Sequence, residues 1–143
     1  MKEFFNDTEK ARVVQAIKDA EYQTSGEIRV HIEGDCKASA VLDRAVEVFG
    51  HLGMHKTEKQ NGVLVYVAVT DRKFAIVGDK GIDTVVPTDF WESTKDLMRT
   101  YLAQNQVVEG LEKGIEEVGK QLKQYFPYQS DDINELPDEI SFG

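Results

Sequence analysis

Only one cysteine, Cys36, occurs in the 143 residues, so no internal disulfide can form and no thiolate metal cluster can be built. Proline is scarce as well, at three residues, in a composition otherwise ordinary for a soluble globule: 41% hydrophobic and 30% charged. Positive charge is in deficit. Lys and Arg total 17 against 26 Asp and Glu, a formal charge of −9. Nucleic-acid backbones are held by clustered Lys and Arg, so this balance argues against such a partner. It suits divalent cations, basic partners or simple solubility. Long hydrophobic runs are also missing. The run Val63–Val69 has seven residues, far below the roughly 18 that signal a membrane span. The N-terminal residues have no apolar leader core. These absences predict a soluble, cytoplasmic protein with no membrane span.

What is present is one domain's length of chain, enough to bury a core. Asn6-Asp7-Thr8-Glu9 has the form of a capping box, with Asn6 as N-cap and Glu9 reaching back. Val13, Val14, Ile17 and Ala20 give the helix after it one apolar stripe. Glu27–Glu33 alternates Ile28, Val30 and Ile32 against Arg29 and His31, the pattern of a half-buried strand with His31 on its less buried face. A second helix is expected from about Ala38 to Leu52, stopped by Gly53. Val63–Val69 has the character of a strand buried on both faces. Thr70-Asp71-Arg72 then turns the chain into a further strand, Lys73–Val77, which Gly78-Asp79-Lys80-Gly81 ends. Strand, helix and strand from Glu27 to Val69 make a βαβ crossover with parallel strands, and the hairpin adds an antiparallel one.

Asp89–Glu92 has the form of another capping box, opening a helix that carries Leu97, Met98, Tyr101 and Leu102. Phe90 and Trp91 in it read as core or staple residues. The last helix, about Gln106 to Phe126, places Leu111, Ile115, Val118 and Leu122 on one face. Gly110 and Gly114 are expected to let it pack closely on the sheet. The domain is thus residues 1–127. Residues 128–143 form an acidic tail that Ile133, Leu136 and Ile140 tack to the body.

Several short segments, in this order and spacing, resemble the TPM domain family. They are Ser25-Gly26-Glu27-Ile28-Arg29-Val30, Leu42-Asp43-Arg44-Ala45, Asn61-Gly62-Val63-Leu64, Asp71-Arg72-Lys73, Val77-Gly78 with Gly81-Ile82-Asp83, and Asp89. The resemblance runs from about Ser25 to Phe126. It departs at Gln60, where the family usually has an acidic residue, and the chain shows neither the signal peptide nor the C-terminal membrane helix of many members. It therefore looks like a stand-alone domain of the family. The resemblance implies a three-layer α/β/α sandwich, its small mixed sheet flanked by helices, with an acidic and often calcium-occupied site. It also implies, for some members, phosphatase activity.

The residues themselves point to an oxygen-rich cation site. In a crossover the carboxyl ends of the parallel strands and the N-terminus of the helix share one edge. Asp35, Asp43 and Asp71 fall there and could hold Ca²⁺, or alternatively Mg²⁺, with carbonyls and water, at an affinity of about 10⁻⁴ to 10⁻³ M. The competing structural roles are a helix-dipole partner for Asp35 and Asp43 and a turn former for Asp71. The opposite edge carries a second cluster, Asn61, Asp79, Asp83 and Asp89, beside Glu27. Enzyme motifs fail inspection: Leu42 stands where a Cys-x₅-Arg loop from Cys36 needs Arg, and no Walker-type phosphate loop occurs. His51 and His55 have zinc spacing, but Leu52 replaces the glutamate of His-Glu-x-x-His. The expected function is a divalent-cation-binding module acting through a protein partner. The alternative is a weak metal-dependent phosphatase, with Asp71 or Asp83 orienting water and Arg72 balancing charge.

Overall fold

The structure, a computed structural model, describes residues 4–129 and 136–143. At its centre β1 (Glu27–Glu33) and β2 (Gly62–Ala68) run parallel, in register from Glu27 opposite Gly62 to Glu33 opposite Ala68. The crossover between them is α2 (Val41–His51). The strand β3 (Lys73–Gly78) returns antiparallel to β2, and β4 (Ser141–Phe142) adds a short parallel strand outside β1. The sheet order is β3-β2-β1-β4. The remaining helices are α1 (Asp7–Glu21), α3 (Lys80–Asp83), α4 (Glu92–Ala103) and α5 (Val107–Leu122).

Alternation along the strands divides the core in two. Ile28, Val30, Ile32, Val63, Val65, Val67 and Ile76 face one way, against Val13 and Ile17 of α1, Met98 and Leu102 of α4, and the Leu111–Leu122 stripe of α5. Leu64, Tyr66, Ala68 and Ala75 face the other way, against Ala45, Val48 and Phe49 of α2 with Met54 and Leu136. The result is the expected α/β/α sandwich around a small mixed sheet. Among the described residues no helix is long and apolar enough to cross a membrane.

Local signals act as their chemistry dictates at several points. Asn6 Oδ1 accepts from Glu9 N at 2.8 Å while Glu9 Oε1 accepts from Asn6 N at 2.9 Å, closing the capping box. Gly53, at φ 68°, ends α2 in the left-handed region and leads into a 3₁₀ turn, Met54–Lys56.

Elsewhere the structure departs from expectation. The helix α2 starts at Val41 because Ala40 is extended, at φ −118° and ψ 133°. Asp89 does not cap α4: Trp91 holds that position without a side-chain bond, and Asp89 supplies only its carbonyl, to Glu92 N at 3.1 Å. Phe90 is buried between Trp91 and Tyr125, with ring centroids 4.6 Å and 5.5 Å away. Gly110 and Gly114 face α4, not the sheet, because the Leu111–Leu122 stripe already occupies the sheet-facing side. A Cβ on Gly110 would meet Tyr101 Cβ at 3.0 Å, and one on Gly114 would meet Met98 Sδ at 2.7 Å. Ile140 packs against the larger core, Leu136 is buried in the smaller one, and Ile133 lies outside the described residues. The strand β4 was not foreseen, because two residues carry no readable alternation.

Candidate functional site

The carboxyl ends of β1 and β2 and the start of α2 meet at one edge, as the crossover requires. Two backbone bonds extend the ladder past the strands, Val69 N to Glu33 O at 2.8 Å and Thr70 N to Gly34 O at 2.9 Å. The turn that follows puts Arg72 at φ 53°, an uncommon conformation for a residue with a side chain. Asp71 then reaches across: its Oδ2 accepts from Cys36 N at 2.7 Å, binding the β2–β3 turn to the β1–α2 loop. Asp35 lies in that loop and Asp43 in the first turn of α2, and all three aspartates are exposed. They share the edge, but among the described residues no group of three His, Cys, Asp or Glu side chains is arranged to hold a metal. A cation here would therefore need backbone carbonyls and water to complete its shell.

Directly beneath this edge lies a buried polar network. Glu33 ends β1 fully buried. Arg44 donates to both its oxygens, Nε to Oε2 and Nη2 to Oε1, each at 2.9 Å. Tyr66 donates its hydroxyl to Oε2 at 2.5 Å, and His31 Nε2 lies 3.0 Å from Oε1. Burial alone would raise the Glu33 carboxyl. The bonds from Arg44, Tyr66 and His31 outweigh it and bring the pKa down to about 2. Burial lowers the His31 pKa, with Arg44 and Lys37 adding to it against the pull of Glu33, so the ring is neutral. An ionised Glu33 only accepts. His31 therefore carries its proton on Nε2 and takes a hydrogen bond at Nδ1 from Ser141 Oγ, 2.9 Å away. On the guanidinium's far side Arg44 pairs with Glu47.

This network corrects the view of β1 as half-buried. His31 is 5% exposed, and apart from the half-buried Arg29 the strand is buried on both faces. Its polar face is covered because α2 sits over β2 and β3, while the chain's last residues lie along β1. Sequence reasoning passed over Glu33 and Arg44 as a pair. The available signal was an acid at the strand's last position followed by a base in the first turns of the crossover helix.

At the opposite edge Asp79 caps α3, with Oδ1 accepting from Lys80 N at 2.8 Å. Its Oδ2 is buried and has no hydrogen-bond partner among the described residues. Burial, and then the charge of Asp79, raise the pKa of nearby Asp83. Asn61 is buried and donates to Ser25 O at 3.2 Å, whereas Asp89 is exposed. His51 and His55 are both exposed, on α2 and on the 3₁₀ turn.

A third acidic group surrounds the start of β1. Glu27 Oε1 accepts from Leu136 N at 2.9 Å, and Glu21 Oε2 accepts from Ile28 N at 3.0 Å. Burial, with a hydrogen bond to Asp138 next, pushes the Glu21 pKa up to about 9. The folded protein thus holds a proton that the unfolded chain, near 4.5, releases. Its stabilising contribution is complete below 4.5 and is lost as pH rises towards 9. Glu21→Gln keeps an acceptor for Ile28 and a donor for Asp138. The variant should flatten the fall in melting temperature between about pH 5 and about pH 9. An unchanged slope would place the proton elsewhere.

Comparison with known proteins agrees with this architecture. The profile of the TPM domain matches residues 1–121, and the chain belongs to that family. It is similar to the BA42 protein of the psychrophilic bacterium Bizionia argentinensis, solved by NMR. The two are 49% identical with a TM-score of 0.93, over 100% of this chain and 98% of that one. The N-terminal domain of the cg2496 protein of Corynebacterium glutamicum shares the fold at 14% identity and a TM-score of 0.66, over 82% of this chain and 73% of that one. No functionally curated protein matches significantly.

Proposed function

We propose that this TPM domain is a divalent-cation-binding module that acts through a protein partner. It takes Ca²⁺, or alternatively Mg²⁺, where β1 and β2 leave the sheet. The observation that carries this reading is the bond from Cys36 N to Asp71 Oδ2, which holds two aspartate-bearing loops against each other above the start of α2. Asp71 and Asp35 are then ligand candidates from the two loops, with Asp43 from the helix. Their exposure leaves room for the water that a Ca²⁺ shell of six to eight oxygens takes up. The Asp79 edge is the second reading, favoured by one observation: a buried carboxylate oxygen with no donor among the described residues is a natural partner for a cation.

A ¹H–¹⁵N titration with Ca²⁺ and then Mg²⁺ tests both. Saturable shifts at Asp35, Asp43 and Asp71 are expected, with Asp71→Asn weakening the apparent affinity about tenfold or more. Shifts confined to Asp79 and Asp83 would move the site to the other edge. Small shifts scattered over the acidic surface would end the cation reading. The phosphatase alternative requires metal-dependent turnover of a phosphomonoester that Asp71→Asn abolishes. Binding without turnover separates the module from the enzyme.

A further inference from the structure

We propose that the outer edge of β1 is a docking site for an extended acidic peptide, and that Leu136–Gly143 is its intramolecular occupant. On its inner side β1 pairs with β2 along all of Glu27–Glu33. On its outer side, among the described residues, β4 pairs with His31 and Ile32 alone, and Gly143 N closes the contact on Ile32 O at 2.9 Å. Nearer its start, the backbone of β1 is met by a side chain: Ile28 N donates to Glu21. So short a ladder contributes few backbone bonds, and the segment is held mainly by what its side chains meet.

Those contacts read the segment residue by residue. Leu136 is buried beside Gly62, where a Cβ would stand 3.7 Å from Leu136 Cδ1. Asp138 shares a hydrogen bond with Glu21, and Glu139 lies within the field of Arg29. Among the described residues the Arg29 Nε is buried without a hydrogen-bond partner, so its N–H is left as a donor for an acid. Ser141 Oγ binds His31. Phe142 meets Phe5 edge-on at 6.4 Å, with Lys10 Nζ 5.6 Å above its ring. Gly143 admits no side chain, since a Cβ would come within 2.6 Å of Glu33 Oε1 and 2.8 Å of His31 Nε2. The partner this edge fits has an apolar anchor, two acids two and three residues on, then a hydroxyl, an aromatic and glycine. Strand addition to a sheet edge with alternating side-chain subsites is a known mode of peptide recognition.

The experiment uses the full chain, ¹⁵N-labelled, as wild type and as Phe142→Ser, with Leu136→Ala in reserve should the first variant lose native amide dispersion. Each is titrated with unlabelled peptide of sequence Leu136–Gly143 and with a scrambled version. The weakened chain should show saturable shifts along Glu27–Glu33 with the native peptide alone, at an affinity at least about tenfold tighter than wild type, whose own segment competes. Two results overturn the proposal. One is a folded variant with no saturable shifts on β1, which makes the segment a fixed part of the fold. The other is equal affinity in wild type and variant, which means the peptide is not entering the segment's place.

Discussion

Replacing Arg44 with Leu should be among the most damaging single changes outside the apolar core. It strips Glu33 of both guanidinium bonds while leaving the carboxylate fully buried. Removing one partner of a buried, hydrogen-bonded ion pair costs about 3–5 kcal/mol, because the remaining charge has neither water nor a counterion. Urea unfolding at neutral pH measures this directly. The pH dependence supplies the mechanism. In the native chain Glu33 titrates at about 2 against 4.5 unfolded, so its contribution is present above 4.5 and is lost as pH falls towards 2. Without Arg44, burial becomes the dominant influence and the Glu33 pKa rises. The variant should then lose less stability than wild type on acidification from about pH 5 to about pH 3. A double change, Glu33→Gln with Arg44→Leu, should recover part of the loss, since the orphaned charge is gone. Equal stability of Arg44→Leu and wild type would show that the network is dispensable.

The second large effect is expected at Gly81. The loop Lys59–Asn61 and the start of α3 pass each other at backbone contact, held by Gly81 N to Gln60 O at 2.8 Å and Asp79 N to Gly62 O at 2.9 Å. A Cβ on Gly81 would stand 2.5 Å from the Gln60 carbonyl oxygen, and closer still to that of Lys59. Both obstacles are backbone, so neither can rotate away. Gly81→Ala should destabilise by about 3 kcal/mol, at the upper end of overpacking costs. The atoms nearest a Cβ on Gly114 all belong to the flexible side chain of Met98, so Gly114→Ala should cost clearly less. Thermal unfolding of the two variants side by side gives the comparison. The reverse ranking would mean that the Gln60 loop yields more easily than Met98.

These two positions also mark the limit of what could be read ahead of the structure. Gly81 was legible as part of a turn, because glycine brackets Asp79 and Lys80 in the sequence. That the turn presses on Gln60 was not, since the two segments are brought together only by pairing β2 with β3. Asp35, Asp43 and Asp71 were legible as residues of one edge because a parallel crossover fixes which strand ends and helix start coincide. The Asp71–Cys36 bond that stitches two loops there was not, since it depends on where a side chain points.

The sequence by itself determined the capping box of α1, the stop at Gly53, the crossover, the hairpin and the apolar stripe of α5. These follow from near-neighbour chemistry and from periodicity, both written within one element. Tertiary structure decided the environment of the polar face of β1. Glu27, Arg29, His31 and Glu33 alternate as solvent-facing residues would, yet they are enclosed by Arg44 from α2, Tyr66 from β2 and the segment Leu136–Gly143. Alternation records that a face is polar. Whether water or partner side chains satisfy that face is settled by elements far away in the chain, which no local pattern encodes.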